Sequence, residues 1–297
     1  MFKFKTYLPT QKRYAYSRQM TSKEYMSIVK TIQNNDVTQI KREFYNLIYN
    51  CYDITTNPKK LNQIDIFCML LNLRIMSVSD NLVLVYAGNG DVNKNIKLDL
   101  YDILDKATNC EITYNNEYET ELITILTTTP RGLVSDSVAM SILTHVDYIK
   151  NNKTGEKYKF KRMSTEQIDR FLDSIPVGSV KRMMKEIQDN DNKFDLEIVG
   201  KLGDEMADIR LNLYDNSMYN TLKLCYNSNL PDLYNLRYIM FKRCNMDVNY
   251  IETIAPIELE TYFSLFKQEL AEEKKGREKA SGTSGNVQLP AQNFTQL

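Results

Sequence analysis

The chain has 297 residues, a length that suits one large domain or two ordinary ones. Hydrophobic residues make up 42% and charged residues 26%, which is typical of a folded protein and excludes a disordered or collagen-like chain. The 38 basic and 38 acidic side chains cancel, so the chain is a poor candidate for a general polyanion binder. Its single histidine, His145, excludes mechanisms and zinc sites that need two histidines.

The five cysteines lie far apart in the sequence and form no C-x-x-C pair, so neither a zinc ribbon nor a thioredoxin-type site is predicted. Most have apolar neighbours, and we expect buried, reduced thiols of a cytosolic protein. The N-terminal residues lack the apolar core of a secretory signal, and no window reaches the roughly 18 apolar residues of a membrane helix. The most apolar run, Ile64 to Val78, has polar interruptions and predicts a helix buried in protein.

Charge is distributed unevenly despite the zero total. Residues 1–60 contain eleven basic and four acidic side chains, a net charge of +7 that leaves −7 for the remainder. Such a dipolar molecule is steered toward a partner with the opposite pattern. Alternatively, these charges are the solvated faces of surface helices, and the sequence leaves both interpretations open.

Residues 1–80 are predicted to form an N-terminal hairpin and helical part. Aromatic and polar residues alternate over 2–18, which predicts extended segments. The sequence Thr21-Ser22-Lys23-Glu24 is a capping box that predicts a helix start. Apolar residues at steps of three and four predict a second helix from Val37 to Cys51, and the apolar run from Ile64 predicts a third, central helix.

Residues 81–128 are predicted to form a small β insertion after the third helix. Its elements are strands at Leu82–Tyr86, 96–100, Cys110–Tyr114 and Thr120–Thr127, a Gly-Asn-Gly-Asp turn at 88–91, and a short helix at Tyr101–Lys106.

Residues 129–275 are predicted to be mainly helical, with a second short β-hairpin formed by residues 194–198 and 209–213. Helices are predicted at Val134–Ile149, 164–175 (from a Ser-Thr-Glu-Gln capping box), 180–187, Tyr219–Tyr226, 233–240 and from Ile257 to about Lys274. Residues 276–297 are polar, lack periodicity and predict a disordered tail. The predicted fold class is therefore α+β and mostly α-helical.

No motif predicts catalysis, a metal site or a cofactor. His145 has no neighbouring nucleophile, so we expect a packed or surface histidine. The sequence Asp189 to Asn192 opens like a calcium loop, but Lys193 and Phe194 follow where an oxygen ligand and a glycine are needed. The glycines at 88 and 90 lack the Gly-Lys-Ser/Thr of a phosphate loop.

Three features indicate either binding or ordinary structure. Residues Lys153 to Arg162 mix basic and aromatic side chains, as a phosphate contact does, although a solvated loop has the same composition. The 20 tyrosines suit protein interfaces or the edge of a core equally. Arg74, within the apolar run, requires a carboxylate or a carbonyl as its partner.

The order of elements and several local sequences resemble the baseplate hub subunit and hub-assembly proteins of T4-like contractile-tailed phages. The resemblance covers nearly all of residues 1–275. It rests on residues 12–33, on Ile64-Asp65-Ile66-Phe67 with the later Leu73-Arg74 and Ser77-Val78, and on residues 164–176, 229–244 and 257–275. Some relatives carry paired cysteines where this chain has Ala87-Gly88-Asn89-Gly90, so no metal knuckle is implied here.

The resemblance implies a non-enzymatic protein of phage tail morphogenesis, which acts as an assembly factor or as a hub subunit. It implies other hub or tail proteins as partners, no cofactor, no membrane, and a location in the host cytoplasm during assembly or in the virion baseplate. The candidate partner-binding residues are Tyr14, Tyr16, Arg18, Tyr262 and Phe266. A nucleic-acid-binding protein that uses the basic first 60 residues is the alternative.

Overall fold

The computed structural model describes residues 3–87, 93–110, 115–119, 121–128, 131–135, 146–159, 162–164, 166–167, 178, 196–202, 205–211 and 216–281. Its helices are α1 Ser22–Gln33, α2 Val37–Cys51, α3 Gln63–Ser77, α4 Leu100–Asn109, α5 Ser217–Cys225, α6 Leu230–Lys242, α7 Val248–Thr253 and α8 Pro256–Ser281. Its strands are β1 Phe4–Leu8, β2 Arg13–Ser17, β3 Asn81–Ala87, β4 Asn93–Asp99, β5 Asn115–Glu119, β6 Ile123–Thr128, β7 Val146–Asn151, β8 Lys157–Lys159, β9 Leu196–Leu202 and β10 Glu205–Leu211. The fold is α+β and mostly helical, with small antiparallel sheets, as predicted.

The N-terminal hairpin and the first two helices follow the predicted pattern. Strands β1 and β2 pair antiparallel, and alternate residues such as Leu8 and Ala15 turn inward and are buried. The predicted capping box forms, because the Glu24 backbone N–H donates to the Thr21 hydroxyl and the Glu24 carboxylate accepts from the Thr21 backbone. Helix α2 starts at Asp36, whose carboxylate accepts two backbone N–H groups.

Helix α3, called the central helix below, is buried along its whole length. Every one of its residues except Met76 is buried, as the apolar run predicted despite its polar interruptions. One apolar face packs against β1, others against α2, α4 and α5, so the same helix serves as the core for elements that are far apart in sequence. A helix that is enclosed on every side needs no polar side, so its apolar residues are not confined to one stripe.

The polar side chains of the central helix each bond a different element. The Asp65 carboxylate accepts from the backbone N–H of Thr10 at 3.0 Å and from its hydroxyl, which holds the hairpin turn. The amide of Asn72 donates to the hydroxyl of Thr6 on β1 at 2.6 Å. These bonds satisfy groups that burial would otherwise leave without partners.

The other end of the central helix is bonded in the same way. The Arg74 guanidinium donates to the backbone carbonyls of Cys225 and Ser79 at 2.8 and 2.9 Å, so its hydrogen bonds within the described residues go to carbonyls. The Ser77 hydroxyl accepts from the backbone N–H of Met20 at 2.9 Å. The polar residues of the central helix therefore fix the positions of the hairpin turn, α5 and the start of α1 relative to that helix.

The first two strands of the predicted β insertion and the predicted second hairpin form one sheet, whereas the strand predicted at Thr120–Thr127 corresponds to β6 in the other sheet. The strand order is β10-β9-β4-β3, and Ile96 and Lys97 pair with Leu202 and Lys201 across about one hundred residues of chain. The second four-stranded sheet has the order β5-β6-β7-β8. Both sheets are antiparallel throughout.

The helix predicted over Val134–Ile149 is wrong at its C-terminal end, because Val146–Asn151 is strand β7. Val146 and Ile149 are both buried and three residues apart, which is a helical spacing. In the strand this spacing arises from a β-bulge: Val146 pairs with Thr127 and Tyr148 pairs with Leu126, so one extra residue on β7 turns both apolar side chains to the same side. Residues 136–145 lie outside the described part of the chain.

The last helices form a second, smaller core. Met240, Ile251, Ile254 and Leu259 cluster where α6, α7 and α8 meet, and this group packs beside α1. Helix α8, called the long helix below, continues to Ser281. It therefore passes its predicted end at about Lys274, and residues 276–281, expected at the start of a disordered tail, are helical. Residues 282–297 lie outside the described part.

Some predicted elements cannot be compared. The strand predicted at 110–114 is described only at Cys110, which caps α4, and the helix predicted at 180–187 lies outside the described residues. The capping box at Ser164 forms, since the Gln167 N–H donates to the Ser164 hydroxyl and the Ser164 N–H to the Gln167 side chain. The helix that it begins is described only at residues 166–167.

Candidate partner-binding surfaces

The outer side of the N-terminal hairpin is aromatic and basic. Alternation along β1 and β2 places Lys5, Tyr7, Tyr14 and Tyr16 on one side, called the hairpin face below. Tyr14 and Tyr16 are 58% and 46% exposed. The Tyr7 and Tyr14 rings meet edge to face at 5.3 Å, and the Lys5 Nζ lies 5.7 Å from the centre of the Tyr14 ring. Tyr7 and Tyr14 thus form a pair of contacting rings with a cation beside it, and Tyr16 lies on the same side.

The hairpin face is held firmly by its buried side. The Tyr52 hydroxyl bonds the Thr6 hydroxyl at 2.8 Å and donates to the carbonyl of Met69 on the central helix at 2.8 Å. Backbone bonds join Asp53 to Tyr16 and Arg18 to the carbonyl of Cys51, each at 2.9 Å. The exposed rings therefore project from a two-stranded sheet whose position is fixed by the core, which lowers the entropy lost on binding.

Arg18 is engaged inside the chain. Its guanidinium forms two bonds to the Glu24 carboxylate, at 2.6 and 2.9 Å, and donates to the carbonyl of Gln19 at 2.8 Å. Burial raises the pKa of the Glu24 carboxyl, but the hydrogen bonds from Arg18 and Thr21 outweigh burial and hold that pKa below its ordinary value. The side chain of Arg18 is 23% exposed, so most of its bonding capacity is used at the start of α1.

Tyr262 and Phe266 lie where the long helix leaves the body of the protein. The predicted apolar side of this helix is buried at Leu259, half-buried at Phe263 and Phe266, and exposed at Tyr262 (42%) and Leu270 (49%). All residues from 267 to 277 are exposed. The line of Tyr262, Phe266 and Leu270 therefore has two exposed side chains with the half-buried Phe266 between them.

A further aromatic surface escaped the sequence analysis. Tyr234, Tyr238 and Phe241 on α6 are 45%, 62% and 42% exposed, and their spacing of four and three residues puts them in one line. The Nζ of Lys30 lies 5.2 Å from the Tyr234 ring. The spacing of these aromatic residues is visible in the sequence, but Leu233, Leu236 and Met240 recur on the same helix at equivalent spacing, so the pattern does not tell which side is exposed.

A crevice lies between α1, α6, α7 and α8. It encloses roughly 400 Å³, including the solvent at its mouth, and its floor is apolar, with Met26, Leu236 and Ile251 among the lining residues. At its rim Glu252 bonds Arg237 and lies 3.6 Å from the Nζ of Lys23. The rim charges neutralise each other, so the crevice suits an apolar side chain better than a charged ligand.

The cysteines are free, and their thiols are chemically quiet. Cys51, Cys68 and Cys225 are buried, whereas Cys110 and Cys244 are half-buried. Burial raises the pKa of Cys51, Cys110 and Cys225 to about 12, so these thiols stay protonated near neutral pH and are poor nucleophiles. The expected burial is therefore confirmed for three of the five cysteines.

The remaining candidates for chemistry give no site in the described residues. These residues contain no group of three or more His, Cys, Asp or Glu side chains arranged to hold a metal ion. His145, the sequence Asp189 to Asn192, and the glycines at 88 and 90 lie outside the described part.

The basic segment from Lys153 is exposed where it is described, but it is a loop only in part, because Lys157–Lys159 is strand β8. Residues 153–159 and Arg162 are exposed, and the Lys157 Nζ lies 4.7 Å from the centre of the Tyr148 ring. Among the described helices, none combines the length and the apolar character required to cross a bilayer.

These features define a class of protein before they define a family. Exposed tyrosines and neighbouring cations lie on surfaces fixed by a buried core, which is typical of a protein that binds other proteins. The model of the family described as T4 bacteriophage base plate protein matches residues 1–202, more than half of the chain. The chain belongs to this family and is a phage baseplate protein with a structural or assembly role. No curated protein and no solved structure shows a significant match to it.

The matched range contains the hairpin face and the whole central helix, so the most deeply buried helix and one candidate surface lie within the family's shared part. The long helix and α6 lie beyond residue 202. The family match thereby confirms the predicted resemblance to T4-like phage baseplate proteins.

Proposed function

We propose that the protein acts in assembly of the baseplate hub, as an assembly factor or hub subunit, through contacts with other hub or tail proteins and without catalysing a reaction. The observation that carries this proposal is the family match over residues 1–202, which includes a firmly held, exposed aromatic face. The work takes place in the host cytoplasm while the tail is built.

In this proposal the hairpin face is the main contact. Tyr14 and Tyr16 supply large, rigid contact area at a small cost in side-chain entropy, and Lys5 supplies a cation for an acidic group of the partner. Arg18 contributes indirectly, since its bonds to Glu24 fix the end of β2 beside α1. The protein holds the exposed surface of another hub protein until the hub closes.

Co-expression with individual tail proteins of the same phage tests the proposal. We expect one of them to co-purify with the wild-type chain, and the pair Tyr14→Ser with Tyr16→Ser to lose that partner. Tyr49→Ser is the matched control, because Tyr49 is 72% exposed on α2 but lies off the hairpin face. Absence of a partner in every combination contradicts the proposal.

Tyr262 and Phe266 form a second proposed contact with a hub or tail protein, on the long helix.

Mass spectrometry of purified particles separates the two forms of the proposal, a hub subunit and an assembly factor. A hub subunit remains in the virion in fixed ratio to the other baseplate proteins, whereas an assembly factor is absent from finished particles.

Nucleic-acid binding is the second candidate, and one observation favours it. The hairpin face places one basic side chain, Lys5, beside the exposed Tyr14 ring, and single-stranded nucleic acids bind to combinations of stacking rings and cations. A gel shift with single-stranded DNA or RNA that weakens steeply with added salt supports this function. No shift at low salt removes it.

A further inference from the structure

Exposed basic side chains gather where the central helix begins. They are called the basic end below and are Lys12, Arg13, Lys59, Lys60 and Arg131. Lys12 and Arg13 lie at the turn of the N-terminal hairpin, and Lys59 and Lys60 lie just before the central helix. Arg131 comes from a segment much later in the chain. Three separate basic stretches of sequence therefore meet at one end of the core.

Bonds to the first turn of the central helix fix this placement. The Asp65 carboxylate, in that turn, accepts from the backbone N–H of Thr10 at 3.0 Å and so holds the hairpin turn beside the helix start. Arg131 forms an antiparallel bridge with Asn62, the residue that caps the helix. Lys60 precedes this cap by two residues. All three basic stretches therefore border the same helix start.

The charges of the basic end are not neutralised within the described part of the chain. None of its five cations forms an ion pair with a described acid, whereas Arg18 is paired with Glu24 and Arg237 with Glu252 elsewhere. Asp65 is the acid at this helix start, but it is buried and bonded to the hairpin turn. The positive end of the helix dipole lies at the same place. The basic end therefore presents a positive surface to solvent.

We propose that the basic end binds an acidic segment of another protein, one in which several Asp or Glu side chains are closely spaced. Charge complementarity selects this occupant, because clustered cations repel each other in the free chain and an acidic segment relieves that repulsion. The hairpin carries both the hairpin face and, at its turn, Lys12 and Arg13. A partner bound on the hairpin face therefore has its adjoining residues close to the basic end.

The charge of the whole chain favours a short acidic segment over a nucleic acid. Residues 61–297 carry a net charge of −7, even though Arg131 is among them. A polyanion that extends beyond the basic end meets this negative remainder and is repelled by it. A short acidic segment touches the cations alone. The uneven charge of the sequence is thereby explained as a docking surface on a neutral protein.

The inference rests on the proposed function only in that the partner is a protein. It assigns a second surface and the chemistry of what covers it, and leaves the hairpin face as proposed above. Its test uses a synthetic peptide and no tail protein. Failure to bind the peptide and failure to capture a tail protein are therefore separate results.

Fluorescence anisotropy of a labelled oligoglutamate peptide of about ten residues, added to the full chain, is the first measurement. At about 20 mM salt we expect a dissociation constant on the order of 100 μM, which weakens at least about tenfold at about 200 mM salt. Reversal of three cations in one chain weakens binding at low salt by at least about tenfold. The three changes are Lys59→Glu, Lys60→Glu and Arg131→Glu.

The matched control reverses three exposed cations outside the basic end and so changes the net charge equally. Its changes are Lys153→Glu, Lys159→Glu and Arg162→Glu. We expect peptide binding to stay within about twofold of wild type, because long-range effects of net charge are small beside direct contacts. Equal weakening by both sets, or no binding by the wild-type chain at low salt, overturns the proposal.

An oligothymidylate of the same length, in the same measurement, tests the other class of partner. Binding of this DNA that is equal to or weaker than binding of the peptide supports a protein partner. Tighter binding of the DNA overturns that choice and assigns the cations to a nucleic acid.

Neutral substitutions show whether the cations serve the fold itself. Lys59→Gln, Lys60→Gln and Arg131→Gln in one chain remove like-charge repulsion. The thermal midpoint of the free chain should therefore rise by roughly 1–3 °C at low salt, and by less at high salt. A lower midpoint would mean that bonds within the chain hold these cations, and that result overturns the proposal. Circular dichroism of each variant shows that the fold is kept.

Discussion

The central helix and the long helix differ in how their apolar residues are arranged, and this difference decides their surroundings. The central helix is apolar on all sides, so it can lower its free energy only by becoming the core itself. The long helix has one apolar stripe, and only its first turns reach the body. Periodicity, more than total apolar content, therefore separates a core helix from a helix that presents a surface.

The polar residues of the two helices teach the same lesson. In the central helix a polar side chain must find a partner inside the protein, and Asp65, Asn72 and Arg74 each bond a different element. In the long helix the polar side chains are exposed and interact mostly with water or with each other, as Arg277 and Glu273 do at 4.0 Å. Buried polar residues specify which elements dock, whereas exposed ones leave docking to a partner.

The largest expected contrast comes from one substitution made on both helices. Phe67→Ala removes a fully buried ring from the central helix and should lower the free energy of unfolding by about 3–5 kcal/mol. Phe266→Ala removes a half-buried ring and should cost within about 1 kcal/mol. Urea denaturation at low protein concentration measures both. Equal losses would contradict the division between a core helix and a surface helix.

Arginine provides the second matched pair. Arg74→Met keeps most of the side-chain volume but leaves the carbonyls of Cys225 and Ser79 without their donor, and we expect a loss of about 2–4 kcal/mol. Arg277→Met removes an exposed, long ion pair and should change stability by less than about 0.5 kcal/mol. A loss below about 1 kcal/mol for Arg74→Met would mean that α5 docks through apolar contacts alone.

Local signals in the sequence predicted the elements that are decided locally. The capping box at Thr21 bonds neighbouring backbone groups, so it needs only nearby residues. The burial of the central helix followed from its composition. The exposure of Tyr14 and Tyr16 followed from strand alternation once a hairpin was assumed.

Tertiary contacts decided the elements that were predicted wrongly or missed. Strand β7 carries a bulge that imitates helical spacing, and only its pairing with Thr127 and Leu126 shows the difference. The pairing of β4 with β9 joins residues about one hundred positions apart, beyond the reach of any local pattern. Both sides of α6 carry apolar residues. Docking against α1 and α7 covers one side and leaves the side with Tyr234 exposed.

A smaller effect is expected where the chain returns to the start of the central helix. Gly132 has a φ of +76°, and an added Cβ would lie 2.8 Å from the Tyr45 hydroxyl, which accepts the Leu133 N–H. Gly132→Ala should cost about 2 kcal/mol, from backbone strain and loss of this contact. Gly155→Ala has the same strain at φ +73° but open space around it, and should cost about 1 kcal/mol. Equal costs in thermal unfolding would remove the contact with Tyr45 from the explanation.

The smallest expected effect is a pair of opposite pH dependences. Burial raises the pKa of the Asp65 carboxyl above its ordinary value, and the bonds from Thr10 do not offset it. The folded state then binds a proton more tightly than the unfolded state does. Stability therefore falls as pH rises from the ordinary value of 3.8 through the raised pKa, and is constant above it.

Glu24 has the opposite sign. Its bonds from Arg18 lower its pKa despite burial, so its contribution to stability is present above the ordinary value of 4.5 and is lost as pH falls through the lowered pKa. Unfolding of wild type, Asp65→Asn and Glu24→Gln between about pH 3 and pH 7 separates the two. The free energy of unfolding of wild type minus that of Asp65→Asn should fall with rising pH. The free energy of unfolding of wild type minus that of Glu24→Gln should rise. Slopes of the same sign would mean that the Asp65 carboxylate, like the Glu24 carboxylate, is stabilised in its charged form. The central helix would then hold a buried charge without a cost in stability.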